Sequence, residues 1–462
     1  MKSYDVRIWG IRARNSKKAP YQLRWSVAGQ VHQTPFATKT LADARRAQLL
    51  TATRDGEAFD VDSGLPMSEH RAAASPTWYD HACAYAAMKW PGAAAKHRVG
   101  IAEALTAVTM TLVTSNRGAP DKKVLRRALR EWAFRAVRDD NVEKYVPRKD
   151  AEDVPADVAA ALTWVSEHSV KVADMTDSAR LRDVLTVLSR RLDGKVAADN
   201  TVRRKHSVLS NALRYAVERE ILTANPLSRI DWKTPDTDDE VDFRYVPGPV
   251  LAHALLEAVR GAGERGPYLS AFFACMYYAA MRPSEVASLT RRACRLPEDG
   301  WGELILSRSR PEVGSGWTDD GKSYEERGLK RRARKATRPV PIPPVLVAIL
   351  RRHLAEYGTG KDGRLFTAAM GGRIRSTEYA DAWKNARKKA LPAEDVGTPL
   401  AEVPYSLRHA CVSLWIKAGV DPVEVARRAG HSPAVLWKFY AKILRGQQEV
   451  SNGLIDKALS AE

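Results

Sequence analysis

The stretch "AGHSPAVLWKFYAK", residues 429–442, decides how this chain is read. Gly430 closes one helix, because glycine is favoured just past a helix end. Ser432 then supplies a new N-cap and Pro433 a first-turn residue, so His431 falls at a helix break with its ring free to reach sideways. Nine residues on, Tyr440 lies between Lys438 and Lys442 and shares a helical face with Leu436 and Ile443. Two readings compete: an ordinary half-buried core tyrosine, or a nucleophile aimed at a phosphate.

Working outward, "DPVEVARRAG" (421–430) is a helix capped by Asp421 and started by Pro422. Before it, "VPYSLRHACVSLWIKAGV" (403–420) runs its apolar face through Leu407, Cys411, Leu414 and Trp415, with Arg408 next to that face. Arg408 is either a snorkelling surface residue or a planar fork for phosphate oxygens. In "YYAAMRPSEVASL" (277–289), Pro283 starts a helix and places Arg282 at its N-terminal edge. The helix dipole disfavours a cation there, so Arg282 needs an anion: Glu285 three residues on, or a phosphate shared with the helix end. Between these segments "GELILSRSR" (302–310) and "TRPVPIP" (337–343) read as a strand pair joined by a basic stretch.

Taken in order, Arg282 with Glu285, the basic strand pair, Arg408 in "YSLRHA", His431 in "AGHS" and Tyr440 nine later form a set. That set closely resembles the tyrosine recombinases, the phage-integrase family, over roughly residues 245 to 450. The resemblance implies a site-specific recombinase whose Tyr440 attacks a DNA phosphate, leaving a 3′-phosphotyrosyl link and a free 5′-hydroxyl. A protein ester stores the energy of the broken bond, which strand exchange without hydrolysis requires. Arg282 and Arg408 are then expected to neutralise the non-bridging oxygens, Glu285 to hold Arg282, and His431 to hydrogen-bond the phosphate and assist proton transfer. The leaving 5′-oxygen needs an acid, for which the family uses a hairpin lysine. "RGLKRRARKATRPVPIP" offers Lys330, preferred because "GLK" directly precedes the basic turn, with Lys335 the alternative. The chain departs from the family at Tyr405, where His or Lys is usual. A phenol with a pKa near 10 is a poor base, so water, His431 or the phosphate itself remains as proton acceptor for Tyr440. Tyr405 could instead hydrogen-bond the phosphate.

The remaining chain fits the same resemblance. Residues 3–37 alternate apolar with polar or basic side chains, as an antiparallel three-stranded sheet does, and Thr40 with Asp43 has the spacing of a capping box for the helix that follows. This 1–60 module, studded with Arg7, Arg12, Arg14 and Arg24, looks like an arm-type DNA-binding domain, a solvated basic sheet being the alternative. A linker is expected over 57–76, and a helical core-binding domain over 75–235, in which Val202, Leu209, Leu213, Ala216 and Ile221 mark one face of a helix. A second linker spans 225–249, and the catalytic domain covers 240–462. The expected fold is multidomain and mainly α with small β-sheets. The final amphipathic "EVSNGLIDKALSAE" is read as docking on its own subunit or on a neighbour.

Composition agrees. The 462 residues carry 74 Lys and Arg against 55 Asp and Glu, a net charge of +19, which favours a polyanionic partner. Double-stranded DNA attachment sites are the expected partner, bound by a homotetramer, with room for a directionality factor. No cofactor or metal is expected. The longest apolar run, "YLSAFFACMYYAAM" (268–281), is shorter than the roughly 20 residues a spanning helix needs and reads as a buried core helix, so no membrane association is expected. The N-terminus lacks a secretory apolar stretch, and Cys83, Cys275, Cys294 and Cys411 form no C-x-x-C; a reducing cytoplasm is the expected location.

Overall fold

The structure is a computed structural model that describes residues 1–139, 144–233, 235, 242–329, 336–445 and 448–460. It divides into two compact units, Met1–Asp236 and Thr237–Glu462. Among the described residues no helix is long and apolar enough to cross a membrane.

In the first unit the period-two segment forms a sheet of four strands rather than three. Tyr21–Val27 pairs antiparallel with Gln30–Phe36, and on its other edge with Val6–Ile8 and Arg12–Ala13. The tight turn at Ala28 and Gly29, both at positive φ, matches the twist of the two long strands. Alternation buries Leu23, Trp25 and Val27 against Leu49 and Ala52 of the helix Lys39–Arg54. That helix is capped by Thr38, not Thr40: Thr38 is extended and its hydroxyl accepts from Leu41 N at 3.3 Å, whereas Thr40 already lies inside the first turn. The expected linker at 57–76 also contains structure. Phe59–Asp60 pairs with Lys2–Ser3, and Met67–Ala74 is a helix with no fully buried residue, which is why it leaves no apolar period in the sequence. Helices follow from Trp78 onward, interrupted by a hairpin, Ala136–Asp139 with Lys144–Pro147, that periodicity did not reveal. Asp199–Glu218 buries Val202, Leu209, Leu213 and Ala216 as expected and leaves Arg203 and Arg204 exposed; Ile221 lies beyond its end.

In the second unit the apolar run becomes the helix Gly266–Tyr278, in which Phe272, Phe273, Cys275 and Met276 are fully enclosed. Burial of side chains this size contributes roughly 1.5–3 kcal/mol each, so this helix is the natural centre of the unit's core. The expected strand pair is present: Gly302–Leu306 runs antiparallel to Arg338–Ile342, and Cys294–Arg295 lines its other edge. Between the paired strands the chain makes a further short ladder, Arg308–Ser309 with Arg327–Gly328. This ladder is tied to the segment after Arg282 by bonds from Ser309 Oγ to Ser284 Oγ at 2.9 Å and from Ser288 Oγ to Arg308 O at 2.8 Å. The helix Pro249–Arg260 precedes the core helix, and Pro344–Tyr357, Ser376–Ala390, Ser406–Lys417, Pro422–Ala429, Pro433–Arg445 and Gln448–Leu459 follow the sheet.

Candidate active site

Arg282 is placed by an abrupt change of direction. The core helix ends at Tyr278, Ala280 adopts φ 48°, and Arg282 becomes the N-cap of the one-turn helix Pro283–Val286. Glu285 turns back and accepts from both the backbone N and Nη1 of Arg282, each at 2.9 Å. The same carboxylate receives a side-on pair from Arg338, Nη1 at 3.1 Å and Nη2 at 2.8 Å. Glu285 is 2 % exposed. Burial alone would push its carboxyl up, but Arg338, Arg282 and Arg408 outweigh that and hold it at about 2.

Arg408 sits in the first turn of Ser406–Lys417 and is wholly buried, so the snorkelling alternative does not hold. Its apolar neighbours on that helix are only partly as expected, since Leu414 is exposed. Its Nη1 donates to Ala280 O, and its Nη2 donates to Ala429 O at 2.6 Å and to His431 Nε2 at 2.8 Å. Three of its five N–H groups are thus used, leaving Nε–H and one hydrogen on Nη1. The guanidinium thereby ties the turn before Arg282 to the turn before His431.

That second turn is built as the sequence suggests. Asp421 caps Pro422–Ala429 through Val423 N and Glu424 N, and Gly430 closes it in the left-handed region at φ 67°. A side chain at Gly430 is excluded twice over, by that φ and because a Cβ would lie 2.1 Å from Arg338 Nη1. Arg282 Nη2 points to Gly430 O at 3.4 Å. His431 follows, its Nε2 accepting from Arg408, which leaves its proton on the buried and unpartnered Nδ1. Burial, then Arg408 and Arg282, depress its pKa to about 3, so the ring is neutral.

Tyr440 lies on Pro433–Arg445 at a break in the helix, with φ −121° and ψ 18°. It is 1 % exposed and packs with Leu436, Cys411 and Val412. Its ring stacks on His431 with centroids 6.4 Å apart, and its hydroxyl is 2.7 Å from His409 Nδ1. Burial raises the phenol above its ordinary range, and Arg408 and Arg282 pull the other way. Tyr405 stands edge-on to His409 at 5.1 Å and 6.0 Å from the Arg408 guanidinium carbon.

No family model matches the chain. Two curated relatives do, each called integrase: that of Mycobacterium phage D29 and that of Mycobacterium phage FRAT1, both 23% identical over 273 residues, or 55% of this chain. The chain resembles the phage integrases. The aligned region spans 62% of the D29 protein, less than two thirds of its length, and 70% of the FRAT1 protein. Among solved structures, the Tn1549 transposon integrase in complex with a circular intermediate DNA gives a TM-score of 0.46 at 16% identity, covering 63% of this chain and 91% of that one. The XerH recombinase bound to a palindromic difH substrate gives 0.43 at 13% identity over 77% and 95%. A lambda integrase tetramer bound to a Holliday junction gives 0.42 at 13% identity over 91% of each.

In this integrase-like chain the structure brings together Arg282, Glu285, Tyr405, Arg408, His431 and Tyr440, six of the seven residues singled out from sequence. The seventh, Lys330, and its alternative Lys335 lie outside the described residues. Two members of the cluster are not singled out by the sequence. Arg338 lies in a strand, where "TRPVPIP" gives no reason for an inward-facing cation. His409 lies in "YSLRHA", where its position one turn after Tyr405 on the same face is the usable signal.

Proposed function

We propose that the protein is a site-specific DNA recombinase that cuts and rejoins strands through Tyr440. The observation that carries this reading is the meeting of Tyr440, His431, Arg408 and Arg282 in one cluster, although they come from separate elements spread over residues 282–440. An isolated core tyrosine has no need of two guanidinium groups within electrostatic reach.

In this reading the scissile phosphate enters beside Arg282, which is partly exposed and has N–H groups beyond those given to Glu285 and Gly430 O. The unused Nε–H and Nη1 hydrogens of Arg408 complete the contact from below. Both cations are fixed before any charge develops, Arg282 through Glu285 and Arg408 through two backbone carbonyls, so little reorganisation is needed as the five-coordinate phosphorus forms. His431 Nδ1–H is a buried donor without a partner and would bond a phosphate oxygen. The Tyr440 oxygen displaces the 5′-oxygen, which takes a proton from Lys330, with Lys335 as the alternative donor. Rejoining runs the same steps backwards. The partner is double-stranded DNA at attachment sites, held by a homotetramer, with a directionality factor choosing between integration and excision of a mobile element. A net charge of +19 supports a polyanionic partner.

The test uses a nicked suicide duplex carrying the DNA that flanks the encoding gene, incubated with the full chain. Covalent protein on DNA that vanishes in Tyr440→Phe is the expected result. Tight binding without an adduct would leave a non-catalytic DNA-binding protein in its place. With the adduct in hand, Lys330→Ala should slow cleavage far more than Lys335→Ala, and a substrate with a better leaving group should rescue it.

A further inference from the structure

With Tyr405 in place of a stronger base, the reaction proposed above lacks an obvious acceptor for the phenolic proton. We propose that His409 is that acceptor, taking the Tyr440 proton on Nδ1 as the phenolic oxygen attacks phosphorus. The proposal rests on the recombinase reading and adds a catalytic residue to it.

The geometry separates His409 from the other groups near the phenol. His409 Nδ1 is 2.7 Å from the Tyr440 hydroxyl, inside the range for direct transfer. His431 is stacked on the Tyr440 ring instead, and its only acceptor nitrogen is engaged by Arg408 at 2.8 Å. Both oxygens of Glu285 are taken by Arg282 and Arg338. Cys411 is a buried thiol pushed far above its ordinary pKa, and Tyr405 is itself a phenol. Arg408 and Arg282, the remaining charged groups acting on Tyr440, have no lone pair to offer.

The fold also fixes His409 in aim. It lies on Ser406–Lys417 directly after Arg408, so the helix that sets one phosphate-facing cation sets the proton acceptor with it. The edge of its ring rests against Tyr405 at 5.1 Å. Position 405 then acts as a wall that orients the imidazole.

The step balances without a further reagent. The Tyr440 oxygen bonds to phosphorus, the bond from phosphorus to the 5′-oxygen breaks, and the hydroxyl proton moves to His409 Nδ1, whose ring proton stays on Nε2. The 5′-oxygen is protonated separately by the lysine. On rejoining, the 5′-hydroxyl gives its proton back to the lysine as it attacks phosphorus, and His409 returns its proton to the leaving phenol. In the resting protein His409 is a weak base, held at about 4 by burial and by Arg408. Transfer therefore accompanies attack, when the oxygen is becoming an aryl ester and its proton is strongly acidic. A phosphate seated against Arg408 also cancels part of the charge that depresses His409.

The experiment compares wild type, Tyr440→Phe, His409→Asn and His409→Ala as full chains on the same nicked duplex, with DNA affinity measured beside covalent adduct. Asn places an amide oxygen close to where Nδ1 stands, keeping an acceptor that cannot hold the proton. Adduct formation should fall about 10²-fold or more in both His409 variants at unchanged DNA affinity, in line with what positioned general bases contribute. Added imidazole should restore part of the rate to His409→Ala and none to His409→Asn. A His409→Asn enzyme within about threefold of wild type overturns the proposal, as does a folded His409→Ala enzyme that is slow and indifferent to imidazole. If wild type itself gives no adduct, the recombinase reading fails and His409 falls with it, an outcome distinct from a wild type that cleaves and a variant that cleaves equally well.

Discussion

At the scale of single residues, Glu285 is the pivot of the cluster. One carboxylate neutralises Arg282 and Arg338, and both its oxygens are used twice. Removing one partner of a buried ion pair costs about 3–5 kcal/mol, because the charges left behind stay desolvated. Glu285→Gln should therefore lower the urea midpoint of the unit Thr237–Glu462 by several kcal/mol equivalent, with Arg338→Met far milder because the pair with Arg282 survives it. Equal losses would show that Arg338 matters more than its position suggests. Ala280 is a balanced position. A non-glycine residue at φ 48° is strained by roughly 1 kcal/mol, but its methyl group is fully buried and glycine would loosen the unfolded chain by a similar amount, so Ala280→Gly should leave the melting temperature of that unit nearly unchanged. The ion pair of Arg282 with Glu285 was legible in sequence because both partners lie in one turn. Arg338 was not, because it joins them only once the strand is paired and faces inward. The same limit applied to Arg408: position beside an apolar face does not tell a helix that it will be covered on every side.

At the scale of elements, short signals at helix ends carried most of the correct reading. Asp421 with Pro422 and Ser432 with Pro433 mark two helix beginnings and Gly430 one end, and the structure has all three there. These signals work because each satisfies backbone groups within three or four residues of itself. The Thr40 assignment failed by two residues for the same local reason: Thr38 has an equivalent hydroxyl, and spacing alone does not choose between them. The kink at Tyr440 left no mark in "VLWKFYAK", since neither proline nor glycine is present to announce it. Gly430 is the element-level test. Gly430→Ala puts a methyl group into the Arg338 guanidinium and asks alanine for φ 67°, at a cost of at least about 1–2 kcal/mol. The helix end should shift, carrying His431 away from Arg408. Adduct formation should drop by more than tenfold, while Gly321→Ala, also at positive φ but in open space between the strands Arg308–Ser309 and Arg327–Gly328, should leave it nearly unchanged.

At the scale of the whole molecule, the two units differ in how their charge is spent. The first presents much of its basic character outward, as at Arg203 and Arg204. The second encloses Arg338 and Arg408 and relies on Glu285 together with neutral His409 and His431 to accommodate them. That arrangement makes its stability sensitive to acid, and the sign follows from linkage. His431 titrates near 6.5 when unfolded and at about 3 when folded, and His409 falls to about 4, so between these limits the unfolded chain binds more protons. Glu285 behaves alike between its unfolded value of 4.5 and about 2. All three contributions are fully present above pH 6.5 and are lost as the pH falls, each group contributing up to about 1.4 kcal/mol per pH unit inside its own window. The urea midpoint for opening of Ser406–Lys417, read by a hydrogen-exchange pulse at fixed pH, should be flat from pH 7.5 to 6.5 and fall steadily from there toward pH 4. The double variant His409→Asn, His431→Asn should lose most of that slope between pH 6.5 and 4.5 and keep the fall below 4.5, to which Glu285 contributes beside Glu424, whose carboxyl Arg427 and Arg428 also hold at about 2. A wild-type midpoint that stays level to pH 4 would mean that the two imidazoles are not held neutral beside the buried guanidinium groups, and the electrostatic frame built around Arg408 would have to be redrawn.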